Sequence, residues 1–76
     1  MEAQEKSPPI DVYCYRGRRQ IEGLDAVAPG VFSVPRCQTD ELERELGPIR
    51  EFRLTNGQRL LGFRSASGER TLMIEE

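Results

Sequence analysis

Asn56-Gly57 and Ser67-Gly68 cut the last third of the chain into short stretches in which apolar and polar side chains alternate. No other feature of the sequence constrains the fold as strongly, because an Asn-Gly pair between alternating residues is the most specific short-range signal of a β-hairpin. A type I′ turn at Asn56-Gly57 pairs Leu54 with Arg59, Phe52 with Leu61 and Arg50 with Phe63. A second turn at Ser67-Gly68 pairs Phe63 with Leu72 and Leu61 with Ile74. These two registers are assigned separately, yet both place Phe52, Leu54, Leu61, Phe63, Leu72 and Ile74 on one face. The pattern predicts a three-stranded antiparallel meander with that face buried.

The opposite face is not cleanly polar. Ile49, Leu60, Gly62 and Met73 alternate there with Glu51, Arg53, Arg64, Thr71 and Glu75. A sheet packed on one side ordinarily turns polar residues to the other. Such a face is either covered by the N-terminal half of the chain, giving a small open barrel, or left as a contact surface.

Upstream, Ile10-Asp11-Val12-Tyr13-Cys14-Tyr15 is rich in β-branched and aromatic residues. Gly17-Arg18 then suits a two-residue turn, which predicts an N-terminal hairpin with Val12, Cys14 and Ile21 facing inward and Tyr13 and Tyr15 outward. Pro29-Gly30 has the chemistry of a type II turn, leading into a short strand, Val31 to Val34. Residues 39–47 carry helix punctuation: Thr39 as N-cap, acids after it, Gly47 past the end and Pro48 as a stop. Leu42 and Leu46 form its one apolar stripe. The expected architecture is therefore α+β: an N-terminal β-hairpin, a short strand, one short helix lying on a small antiparallel sheet, and the C-terminal meander. Residues 1–9 offer nothing to a core and read as a flexible tail, leaving 10–76 as one domain, since 76 residues cannot support two cores.

Chemistry is sparse. The chain has no histidine, which removes the commonest general base and every histidine-based triad. Its two cysteines, Cys14 and Cys37, read as buried thiols rather than as a disulfide. No structural zinc set, phosphate loop or dinucleotide motif is present, so no cofactor or metal is expected. Without a secretory signal or an apolar run of membrane-spanning length, the expected location is the cytoplasm.

These features suggest a non-catalytic protein-binding module, such as a regulator, adaptor, inhibitor or small subunit. Its candidate site is the second face of the meander, with Leu60, Gly62 and Met73 rimmed by Arg53 and Arg64. Arginine around an apolar centre is a common interface composition, and a second copy of the chain is one possible occupant. The alternative is nucleic-acid binding, with Arg16, Arg18 and Arg19 meeting phosphates and Tyr13 and Tyr15 stacking bases. A net charge of -2 weighs against it.

Overall fold

The computed structural model describes residues 7–76 and shows one helix against one mixed seven-stranded sheet that is not closed into a barrel. The strands are β1 (Ile10–Cys14), β2 (Gly17–Ile21), β3 (Asp25–Ala28), β4 (Val31–Val34), β5 (Arg50–Arg53), β6 (Arg59–Ser65) and β7 (Arg70–Glu75), and α1 spans Arg36–Glu45. The sheet runs β2-β1-β6-β7-β4-β3, with β5 also on β6. β1 takes the Arg64–Ser65 end of β6 and β5 takes the Arg59–Gly62 end, both antiparallel. β7 pairs parallel with β4, a contact between segments far apart in the chain.

The three-stranded meander β5-β6-β7 forms, but its register differs by one residue at both hairpins. Phe52 lies opposite Leu60, Leu61 opposite Met73, and Phe63 opposite Thr71. A type I′ turn needs positive φ at both loop residues. Here only the glycines adopt it, Gly57 at φ 92 and Gly68 at φ 93. The chain forms three-residue loops instead. Gly57 N–H donates to Leu54 O at 2.9 Å while Leu54 N–H donates to Gln58 O at 2.8 Å, a type I turn followed by a left-handed glycine bulge. Gly68 N–H to Ser65 O at 2.9 Å and Ser65 N–H to Glu69 O at 2.8 Å repeat the arrangement. The Asn56 carboxamide oxygen and the Ser65 hydroxyl oxygen accept from the backbone N–H groups of Gln58 and Glu69 and hold the two loops.

A one-residue slip exchanges the faces of a strand. Because both loops slip, β6 keeps its predicted sides while β5 and β7 turn over. Leu61 and Phe63 are buried as expected, but their neighbours are Met73 and Thr71, both buried, rather than Phe52, Leu72 and Ile74. The core is completed by Val12, Ile21, Leu24, Val34, Leu42 and Leu46.

The helix begins four residues earlier than the sequence suggests. Its N-cap is Pro35, which has extended backbone and no side-chain cap bond, and Thr39 lies inside, fully buried. Inside the helix the Thr39 hydroxyl lies 2.7 Å from Arg36 O of its own first turn and 2.7 Å from Glu75 Oε2 on the sheet, and it caps nothing. The far end matches expectation: Leu42 and Leu46 are buried, and Gly47 takes φ 70 just beyond.

The N-terminal hairpin turns at Tyr15 and Arg16, two residues before the predicted Gly17-Arg18. A tertiary contact outweighs the local turn preference there. Arg16 N–H donates to Leu46 O at 3.0 Å, and its guanidinium donates to Glu43 O at 3.2 Å and Arg44 O at 2.8 Å, so one residue satisfies three carbonyls at the open end of α1. The shift is by whole pleats, so Val12, Cys14 and Ile21 still point inward. Arg16→Ala is expected to lower stability by about 1 kcal/mol, read as a lower urea midpoint. An unchanged midpoint would show that water serves those carbonyls equally well.

Arg59 ties the helix to the sheet. Its side chain is 11% exposed. It donates to Glu75 Oε2 through Nε at 3.1 Å and Nη2 at 2.9 Å, to Glu43 at 2.7 Å and to Asp40 at 2.6 Å, with Glu51 at 3.5 Å. The Thr39 hydroxyl lies 2.7 Å from the same Glu75 oxygen. That hydroxyl and Arg59 hold the Glu75 carboxyl below its ordinary range despite burial, and Glu43 and Glu75 raise the Arg59 guanidinium further above its own.

The cysteines are free but less buried than expected: Cys14 is half-buried against the core and Cys37 is exposed. Of the expected tail at 1–9, residues 1–6 lie outside the described residues. Ser7 is anchored, its N–H and hydroxyl donating to Leu24 O at 2.8 and 3.0 Å. Among the described residues no helix is long and apolar enough to cross a membrane.

Candidate functional site

Register decides which side chains share the face turned away from α1. Reading across the strands, one row is Phe52, Leu60, Ile74 and Ser33, and the next is Arg50, Gly62, Leu72 and Val31. A third holds Arg18, Tyr13, Arg64 and Arg70. Among the described residues no element lies over these rows. The N-terminal hairpin extends the sheet beside β6 instead of folding across it, so of the two arrangements the sequence allows, the small open barrel does not form.

The result is an apolar floor open to solvent. Phe52 is 47% exposed, and Leu60, Leu72, Ile74 and Val31 are half-buried. A groove of about 700 Å³ runs over this floor between Phe52, Leu60 and Leu72, with Arg50, Arg64 and Arg70 along it. At its centre Gly62 leaves a notch between Arg50 and Leu72, where even a methyl group would touch both at 3.6 Å.

The charges are arranged in a way that does not favour folding. Arg64 and Arg70 are direct cross-strand partners. Like charges so placed destabilise a sheet. Arg50, Arg64 and Arg70 are all exposed, and none of their side chains makes a hydrogen bond or ion pair with a described residue.

The residues anticipated for protein binding separate into two groups. Leu60, Gly62 and Arg64 lie together on the open face. Met73 does not: it is fully buried under the helix. Arg53 is likewise on the helix side of β5, where it donates to Gly57 O at 3.0 Å. Their places are taken by Phe52, Leu72, Ile74, Arg50 and Arg70, which the one-residue slip brings to this side. A glycine-bulge reading of the same two loops would have identified them.

The residues of the nucleic-acid alternative are dispersed. Arg16 caps α1; Arg18 pairs with Asp11 at 2.8 Å on the open face; Arg19 points to the other side, toward Glu45 at 3.0 Å and Glu41 at 3.4 Å. Tyr13 is half-buried beside Arg64, while Tyr15 is 78% exposed at the turn. Comparison of the chain with protein families, curated proteins and solved structures finds no match.

Proposed function

We propose that this domain is a non-catalytic binding module of the cytoplasm that docks another protein on the open face of its sheet. The contact is centred on Leu60, with Phe52, Leu72 and Ile74 around it and Arg50, Arg64 and Arg70 at its margin. One observation supports the reading: the helix covers one side of the sheet, while the other presents a contiguous apolar floor that none of the described residues covers. In a domain this small, apolar area left in water is burial forgone, and patches of this kind mark interaction surfaces. The nucleic-acid alternative gains no support, since Arg16, Arg18 and Arg19 are engaged within the fold and do not share a surface.

Leu60→Asp tests the reading. The substitution is at a half-exposed position, so the fold is expected to persist, with a urea midpoint and circular dichroism spectrum near those of the parent. Association with the protein that co-purifies with the parent chain is expected to disappear, because a buried carboxylate at the centre of an interface lacks a partner. Association that survives Leu60→Asp in a folded domain would move the site elsewhere.

A further inference from the structure

We infer that the partner presents an amphipathic helix with a carboxylate-bearing flank, laid across strands β5, β6, β7 and β4; this rests on the docking face proposed above and specifies what docks there. The acidic flank follows from charge. Three other arginines are ion-paired within the domain, and Arg16 and Arg53 donate to backbone carbonyls. Arg18 has Asp11, Arg19 has Glu41 and Glu45, and Arg59 has Asp40, Glu43, Glu51 and Glu75. Arg50, Arg64 and Arg70 have none among the described residues. Arg64 and Arg70 oppose one another across exposed strands, an opposition that carboxylates brought from outside would relieve, since guanidinium pairs with carboxylates in directed, charge-assisted bonds.

Helical form follows from backbone accounting. The floor offers aliphatic side chains and guanidinium donors but no row of backbone acceptors. An extended peptide lying on it would leave its own N–H groups unpaired, whereas a helix satisfies them internally. The dimensions agree. Three interstrand gaps from β5 to β4 span about 14 Å, the length of a helix of about nine or ten residues. The apolar rows lie toward one end of β6 and the Arg64–Arg70 row toward the other, so a single helix sets its apolar stripe on the former and its acids over the latter.

Other occupants fit less well. A second copy placed face to face brings the same arginines to the contact. A nucleic acid requires aromatic platforms for its bases, yet the floor is mostly aliphatic, and the face's two aromatics, Tyr13 and Phe52, lie beside opposite ends of β6.

The test places the photo-crosslinker p-benzoylphenylalanine at position 52 of the full chain in its source cells, then identifies the captured segment by mass spectrometry. A helix-forming segment with apolar residues at helical spacing and at least two flanking Asp or Glu residues is expected. Its synthetic peptide should then bind the parent chain and lose at least about tenfold in affinity to R64E/R70E, whose own fold is checked by its urea midpoint. Changing the peptide's acids to lysine should restore binding to that variant. A cross-link to RNA, to a second copy, or to nothing overturns the inference, as does a peptide that binds R64E/R70E unchanged. L60D separates the two levels. If it abolishes binding while R64E/R70E does not, only the acidic helix falls; if it too binds normally, the docking face is wrong.

Discussion

Replacing Phe63 with alanine is expected to remove most of the stability of this domain. Phe63 is 1% exposed at the centre of β6, between the helix and the sheet. A phenylalanine-to-alanine change at such a site costs about 3–5 kcal/mol, part of it lost transfer energy and part the cavity left behind. Set against a total of roughly 4–11 kcal/mol for a chain of this size, that is a large share. The urea midpoint should fall by about 2–4 M, or the transition should vanish altogether. A loss below about 1 kcal/mol would mean that the core closes over the gap, and that the helix is less firmly seated than its contacts indicate.

A second large effect is expected at Arg59. Arg59→Met removes the cation from a Glu75 side chain that is 10% exposed and leaves its carboxylate facing Thr39 and the core. Breaking one half of a buried pair costs about 3–5 kcal/mol, most of it the penalty of the charge left behind. Arg59→Met combined with Glu75→Met should therefore be more stable than Arg59→Met alone. The same pair predicts a pH response. Because Thr39 and Arg59 depress the Glu75 carboxyl, the stability it supplies is fully present above the unfolded value of about 4.3, and is lost as pH falls through the lower folded value. Denaturation curves between pH 7 and pH 3 should show this decline, and Glu75→Gln should flatten it. Equal slopes for the two proteins would show that Glu75 does not contribute to the acid response.

The fold was largely legible, and its one systematic misreading is instructive. Pro29-Gly30, the strand Val31–Val34, the Gly47 helix stop and the positions of both C-terminal turns were all readable from local chemistry, because each depends on a residue with unusual backbone freedom. What local chemistry does not determine is how many residues a glycine turn uses. Asn56-Gly57 and Ser67-Gly68 suit a two-residue loop or a three-residue loop with a bulge, and the choice depends on what lies across the sheet. The Arg59 cluster needs Glu75 and Glu51 on the helix side, and Met73 completes the core there. None of this is local. The agreement between the two sequence-derived registers was weaker support than it looked, because the same loop chemistry shifts both hairpins in the same direction.

The candidate site inherits that lesson. Leu60, Gly62 and Arg64 were readable because β6 has its faces assigned correctly. Met73 and Arg53 were not, since they lie on strands that the slip turns over. The N-terminal turn was misplaced for a related reason: the carbonyls of a helix end, supplied by residues 43–46, recruit Arg16 from a distant hairpin. A short turn motif carries no information about such a demand.

The parallel pairing of β7 with β4 has a consequence for the order in which the fold can appear. Phe32 and Val34 of β4 lie beside Met73 and Glu75, so the β3-β4 hairpin joins the sheet only through the last strand in sequence. A chain emerging from the ribosome at about 5–20 residues per second therefore exposes the apolar side of β4, and then the two leucines of α1, before their partner strand exists. Vectorial synthesis can assemble β2, β1, β6 and β5, but it cannot attach β3 and β4 until β7 follows. Strands β3 and β4 wait as a separate hairpin beside a fraying helix, and they join the sheet in one topologically distant step once β7 is available. Folding speed thus depends on how quickly residues 31–34 find residues 72–75, and the interval before that encounter is when the chain is most open to capture by chaperones or proteases.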